Sequence, residues 1–226
     1  MRKLCLIFLI SQAAHSAQWG TSASFKSGPT ASSSKQLLSR YAGTPLIDVF
    51  KQYAQDQGAT TQAETESLVT HELIHVESAR IRRFWRPTGD LDGYMVKWDG
   101  RMATVRYTVQ ETPKIQPLQD MYLNRNPNNT ISNTLDELNA YSLTLPDLCK
   151  TARNGAERHL PALAAHLVVL NAALRTEKAL WPSSWSRNRP LMVRTVALLS
   201  RQAAAALQQC GYPIPENSAI QQFISE

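Results

Sequence analysis

Apolar positions repeat with a helical period over most of the chain. In "SLVTHELIHVESAR", Ser67 to Arg80, residues Leu68, Val69, Leu73, Ile74 and Val76 supply the apolar positions of a long helix predicted from about Ala63 to Phe84. Upstream, Lys35 to Gln57 predicts two short helices parted by Gly43-Thr44-Pro45, because Thr44 can cap a helix and Pro45 suits its first position. The period then changes. Gly93 to Val109, "GYMVKWDGRMATVRYTV", holds two β-prone runs around Asp99-Gly100, a pair that favours a hairpin turn. Glu111 to Asn129 carries Pro113, Pro117 and Pro127 and reads mostly as loop. Helix resumes near Thr134 and fills most of Lys150 to Gln209, with breaks expected at Pro161 and within "WPSSWSRNRP". The predicted fold class is α+β, mainly α-helical: a motif helix, a β-hairpin after it, and a C-terminal helical bundle.

The first seventeen residues follow another logic. Arg2 and Lys3 precede an apolar run from Leu4 to Ile10 and then small residues, the layout of a secretory signal peptide cleaved near Ser16 or Ala17. Seven apolar residues fall far short of the roughly 20 that span a bilayer, so export to a secreted or periplasmic location is expected, with no stable membrane anchor. Residues 18–34, rich in Ser, Thr and Gly, read as a flexible lead-in to a single domain over 35–226. A hydrophobic content of 43% with 19% charged residues suits a folded chain of 226 residues. Losing Met1 to Ser16 removes two of the 24 basic residues and none of the 18 acidic ones, leaving +4. No basic stripe interleaved with aromatics marks a nucleic-acid groove. Cys149 and Cys210 remain after Cys5 is removed, and an even pair in an oxidising compartment favours a disulfide. Oligomeric state is left open.

His71, Glu72 and His75 give the chain its candidate chemistry. Two histidines four apart share a helix face, so both imidazoles can bind one metal ion from the same side, with Glu72 beside them as a base for a metal-activated water. A catalytic zinc site takes a third protein ligand and keeps one position open. Glu77, Glu111, Asp120, Asp136, Glu137, His159 and His166 are the candidates. Glu77 points off the histidine face, and Glu111 and Asp120 sit in the proline-bearing loop. His159 and His166, two turns apart on an apolar helix, read as structural. Glu137 is best placed, early in a helix 62 residues beyond His75, with Asp136 as its substitute. Thr134-x-x-Glu137 also matches a capping box, which would occupy the glutamate at the helix start. Tyr141, one turn after Glu137, can present a hydroxyl to a developing oxyanion, or else pack as core. Trp85, Trp98, Trp181 and Trp185 read as packing or groove-lining residues.

"HELIH" followed by a glutamate on a downstream helix resembles the gluzincin class of zinc metallopeptidases. The resemblance covers two short helical segments and their order. It implies a zincin-like motif helix, a zinc cofactor on His71, His75 and Glu137, Glu72 as general base, and hydrolysis of a peptide or protein substrate. The position four residues after Glu137, an aspartate in thermolysin-like members, is Tyr141; Arg80 and Ile81 stand where metzincins carry their third histidine. In metallopeptidases of this general kind an edge strand near the motif helix can hold an extended peptide, and Met102 to Val109 is the candidate here. Two other readings stay open: a non-catalytic exported protein with an incidental motif, and a zinc amidase acting on non-protein amides such as cell-wall material.

Overall fold

The computed structural model describes residues 33–105 and 127–226. Helices α1 (Ser33–Tyr41), α2 (Pro45–Asp56), α3 (Gln62–Ile81), α4 (Met102–Val105), α5 (Ile131–Thr151), α6 (Arg153–Leu180), α7 (Pro182–Gln209) and α8 (Ser218–Ser225) account for nearly all regular structure there. Residues 1–32, with the predicted signal peptide and most of the lead-in, lie outside the described residues, as do Glu111 and Asp120.

Two apolar cores share α5 as a common wall. On one side Leu135, Leu138, Leu145 and Leu148 pack with Leu163, Leu167 and Leu170 of α6, Met192, Val196 and Leu199 of α7, and Phe223 of α8. On the other, Ala140 meets Val69, Leu73 and Ile74 of α3, which α1 and α2 cover with Leu37, Ile47 and Phe50. Burying a leucine or isoleucine stabilises by about 1.5–3 kcal/mol, so the pairing of α3 with α5 is held from both cores. Pro45 opens α2 after an extended Thr44, as predicted, although the Thr44 hydroxyl donates to Tyr41 O rather than capping the helix. At the start of α3, Thr61 and Glu64 form a full capping box.

The described residues contain no strand, which corrects the α+β expectation to an all-α fold; their one antiparallel bridge joins Phe84 and Leu91. The predicted hairpin fails because helix side chains take up the backbone groups that a partner strand would need. Thr195 donates to Asp92 O at 2.9 Å, Ser132 to Val96 O at 3.3 Å, and Asn188 to Lys97 O at 2.8 Å. The Asp99 and Gly100 N–H groups donate to the buried Glu177 carboxylate at 3.4 and 2.8 Å. Trp98 is buried, with its indole N–H on Ser132. Met102–Val105, half of the proposed substrate-pairing strand, is helical, and 106–109 lie outside the described residues.

Prolines mislead in the same direction. Pro161 lies inside α6 and Pro190 inside α7, and the chain parts at Trp181, with Pro182 at the first position of α7. A proline inside a helix costs about 3 kcal/mol. Buried Leu160, Leu163, Leu167 and Leu170 on α6 gain more than that together.

Cys149, in the last turn of α5, is bonded to Cys210, just past α7, with 5.7 Å between their Cα atoms. The bridge spans a sequence separation of 61, for which the chain-entropy model gives about 4 kcal/mol of stabilisation. Denatured, unreduced protein is therefore expected to show no free thiol from this pair, and reduction should shift the denaturant midpoint downward by an equivalent amount. Gly100 supplies a second check. A Cβ there would lie 2.4 Å from a Glu177 carboxylate oxygen, so Gly100→Ala is expected to cost about 1–3 kcal/mol in denaturant unfolding.

Candidate metal centre

The capping pattern at the start of α5 decides what Glu137 is free to do. Thr130 precedes the helix, and its backbone N–H donates to Asn133 Oδ1 at 2.9 Å, so the box closes four residues earlier than the Thr134 pattern suggests. Glu137 lies in the second turn, facing α3. Its carboxylate approaches His71 Nε2 at 3.3 Å through one oxygen and His75 Nε2 at 3.6 Å through the other. The two Nε2 atoms are 3.1 Å apart.

A tetrahedral ion bound at about 2.0–2.1 Å imposes donor separations of about 3.3 Å, close to this triangle. His71, His75 and Glu137 could hold a metal ion. The orientation of His75 fits the same reading. Asp136 Oδ2 accepts from His75 Nδ1 at 2.8 Å, which leaves Nε2 of the neutral ring as a bare acceptor turned toward His71 and Glu137. A carboxylate on the far nitrogen is the usual way a protein fixes the tautomer of a ligating histidine. Ser78, one turn beyond His75, accepts the Trp85 backbone N–H at 3.0 Å.

The charges in the cluster depend on one another. Burial works against ionising Glu137, yet His75 and His71 outweigh it and hold its carboxyl well below the usual range. Burial likewise opposes charge on His75, but Asp136 and Glu137 push its imidazole well above 6.5. His71, buried and only 6% exposed, is pushed down by burial, so it stays neutral and able to donate a lone pair.

Glu72 is equally buried, and desolvation pushes its carboxyl up to about 7, against His75 and with Glu137 and Asp136. It is poised to exchange a proton near neutrality. The Tyr141 ring lies 4.3 Å from the His71 ring, centroid to centroid. Burial, then Glu137, Tyr53 and Glu72, push its phenol well above the ordinary range, so it remains a donor.

The other candidates fall away from the cluster. Glu77 is fully buried but ion-paired with Arg40 and Arg80. His159 lies near Arg158 and Glu64. His166 donates from Nδ1 to Ala162 O at 2.7 Å and sits behind Tyr141, ring centroids 5.6 Å apart. Trp85, Trp98 and Trp185 are buried as core. Two residues near the site went unread in the sequence. Burial, then Glu72 and Glu137, push the phenol of Tyr53 on α2 up; Ser78 fastens the Trp85 backbone N–H beside the cluster. Neither stands in a motif, and only the packing of α2 and α5 on α3 reveals them.

No protein-family model, curated protein or solved structure matches the chain. Among the described residues no helix is long and apolar enough to cross a membrane.

Metal titration followed by calorimetry is expected to find about one divalent ion per chain, with Glu137→Ala and His71→Ala abolishing tight binding. Asp136→Asn, which removes the orienting carboxylate and no proposed ligand, should weaken affinity by about 10–100-fold.

Proposed function

We propose that this chain is an exported zinc-dependent peptidase of gluzincin type. One observation carries the reading: the Nε2 atoms of His71 and His75 and the Glu137 carboxylate stand 3.1–3.6 Å apart beside the buried Glu72. Two neutral imidazoles and one carboxylate match the donor set of catalytic zinc, which leaves the ion a net positive charge. Zinc held by His71, His75 and Glu137 would acidify a bound water toward neutrality and polarise a carbonyl.

The chain's own residues supply the rest. Glu72, with its carboxyl lifted to about 7, takes a proton from the attacking water and passes it to the leaving amine nitrogen. Tyr141 keeps its phenolic proton and offers it to the carbonyl oxygen as negative charge develops there. Asp136 holds His75 in one tautomer throughout. Burial of the cluster favours this chemistry, because donors and charges act more strongly where water is excluded. The Cys149–Cys210 bond and the apolar N-terminal run support an oxidising, exported setting.

Glu72→Gln preserves size and removes the base. Hydrolysis of a peptide substrate is expected to fall by two or more orders of magnitude while the bound metal stays at wild-type stoichiometry. Loss of metal in Glu72→Gln, or undiminished turnover, would contradict the assigned role.

A further inference from the structure

Away from the metal cluster, the buried carboxylates among the described residues have partners. Glu77 has Arg40 and Arg80; Glu64 has the Thr60 and Thr61 N–H groups and Arg158; Glu177 has two backbone N–H groups and Ser184. Arg86 differs. It is the only buried lysine or arginine among the described residues, 8% exposed, and no carboxylate among the described residues forms an ion pair with it. Among the described residues a single neutral contact holds its guanidinium: Nη1 donates to Asn139 Oδ1 at 3.1 Å. Burial lowers its pKa, but a guanidinium does not lose its proton in proteins.

A buried cation with one amide partner is costly, and most of its five N–H donors have no partner among the described residues. An anion from outside the chain would offset that cost, and the planar fork of arginine matches a carboxylate bidentately. The location ties it to the site. Asn139 stands three residues beyond Asp136 on α5, about 4.5 Å along the helix axis. Trp85, next to Arg86, donates its backbone N–H to Ser78 Oγ at 3.0 Å, and Ser78 stands one turn beyond His75 on α3. Asn139 in turn donates to Trp85 O at 3.0 Å, so the segment carrying Arg86 is fastened to the helix that carries Glu137. Asn139 brings a neutral oxygen to the guanidinium, where an aspartate would have neutralised it.

We infer that Arg86 is a carboxylate-binding subsite on the segment fastened to α5 at Asn139, three residues beyond Asp136, taking either the terminal carboxylate of a peptide or an acidic side chain within it. The inference rests on the peptidase reading and narrows its substrate class. Turnover comes from the metal cluster, whereas Arg86 selects which amide is presented.

Matched peptides test it with the wild-type, zinc-loaded protein. One pair ends in a free carboxylate or an amide; the other carries an internal Glu or Gln and ends in an amide. The carboxylate member of one pair should be cleaved with kcat/KM about tenfold or more above its neutral partner, and which pair responds identifies the source of the carboxylate. Arg86→Gln should bring that ratio near one, and Arg86→Lys, which keeps charge but loses the fork, should reduce it in part. Equal rates within both pairs, or a ratio untouched by Arg86→Gln, overturns the subsite, and the wild-type comparison decides the matter even where a variant folds poorly. If no peptide is cleaved, the peptidase reading fails separately. Calorimetry with N-acetyl dipeptide acids and amides, and with N-acetyl-Glu-amide against its Gln analogue, then supports the subsite by selective binding of a carboxylate member and overturns it by equal binding.

Discussion

The 2.8 Å contact between Asp136 and His75 is the constraint on which the centre turns. An imidazole can offer a lone pair from either nitrogen, and only the environment of the other nitrogen settles which. With Nδ1 committed to Asp136, Nε2 of His75 must face His71 and Glu137, and the triangle of donors follows. Asp136 is itself fixed because α5 packs on α3 along a buried seam of Val69, Leu73, Ile74 and Ala140. Apolar packing thus sets a tautomer, and the tautomer sets the chemistry available.

Stability alone would not favour this arrangement. Three carboxyls and two imidazoles are withdrawn from water between two helices, and desolvation costs several kcal/mol for each ion unless partners compensate. The protons redistribute accordingly: Glu137 keeps its charge, His75 is driven toward the cationic form, and Glu72 is held near neutrality at about 7. Apolar residues of similar volume would pack the seam with no such cost. The cluster therefore reads as stability given up at a site that could hold a metal ion.

The motif helix was legible because its signal is local. His71 and His75 at i and i+4 share a face whatever the rest of the fold does, and Glu137 followed from the helical pattern near Thr134. What escaped was set by long-range partners. Asp99-Gly100 is a hairpin pair by local rules, but Glu177, 77 residues beyond Gly100, takes its N–H groups. Pro161 breaks helices by local rules, but the leucines around it are buried on α6. The capping pattern at Thr134 gave way to Thr130 and Asn133, a Thr-x-x-Asn variant that a search for glutamate or glutamine passes over. Asp136 was visible as a substitute ligand, yet its task of orienting His75 depends on which oxygen reaches which nitrogen, a matter of side-chain geometry.

Both ends of α5 are secured, and that arrangement follows from what the helix must do. Its N-terminus is closed by Thr130 and Asn133, and its C-terminus is tied through Cys149 to the end of α7. Donors separated by 3.1–3.6 Å tolerate little sliding of one helix against another, because a shift of one residue along an α-helix moves a side chain by 1.5 Å and turns it by about 100°. A helix serving as the wall of two cores could settle into either packing alone with a small rotation. Capping at one end and covalent closure at the other remove that freedom, so the cores on the two faces of α5 act together to hold Glu137 and Asp136 against α3.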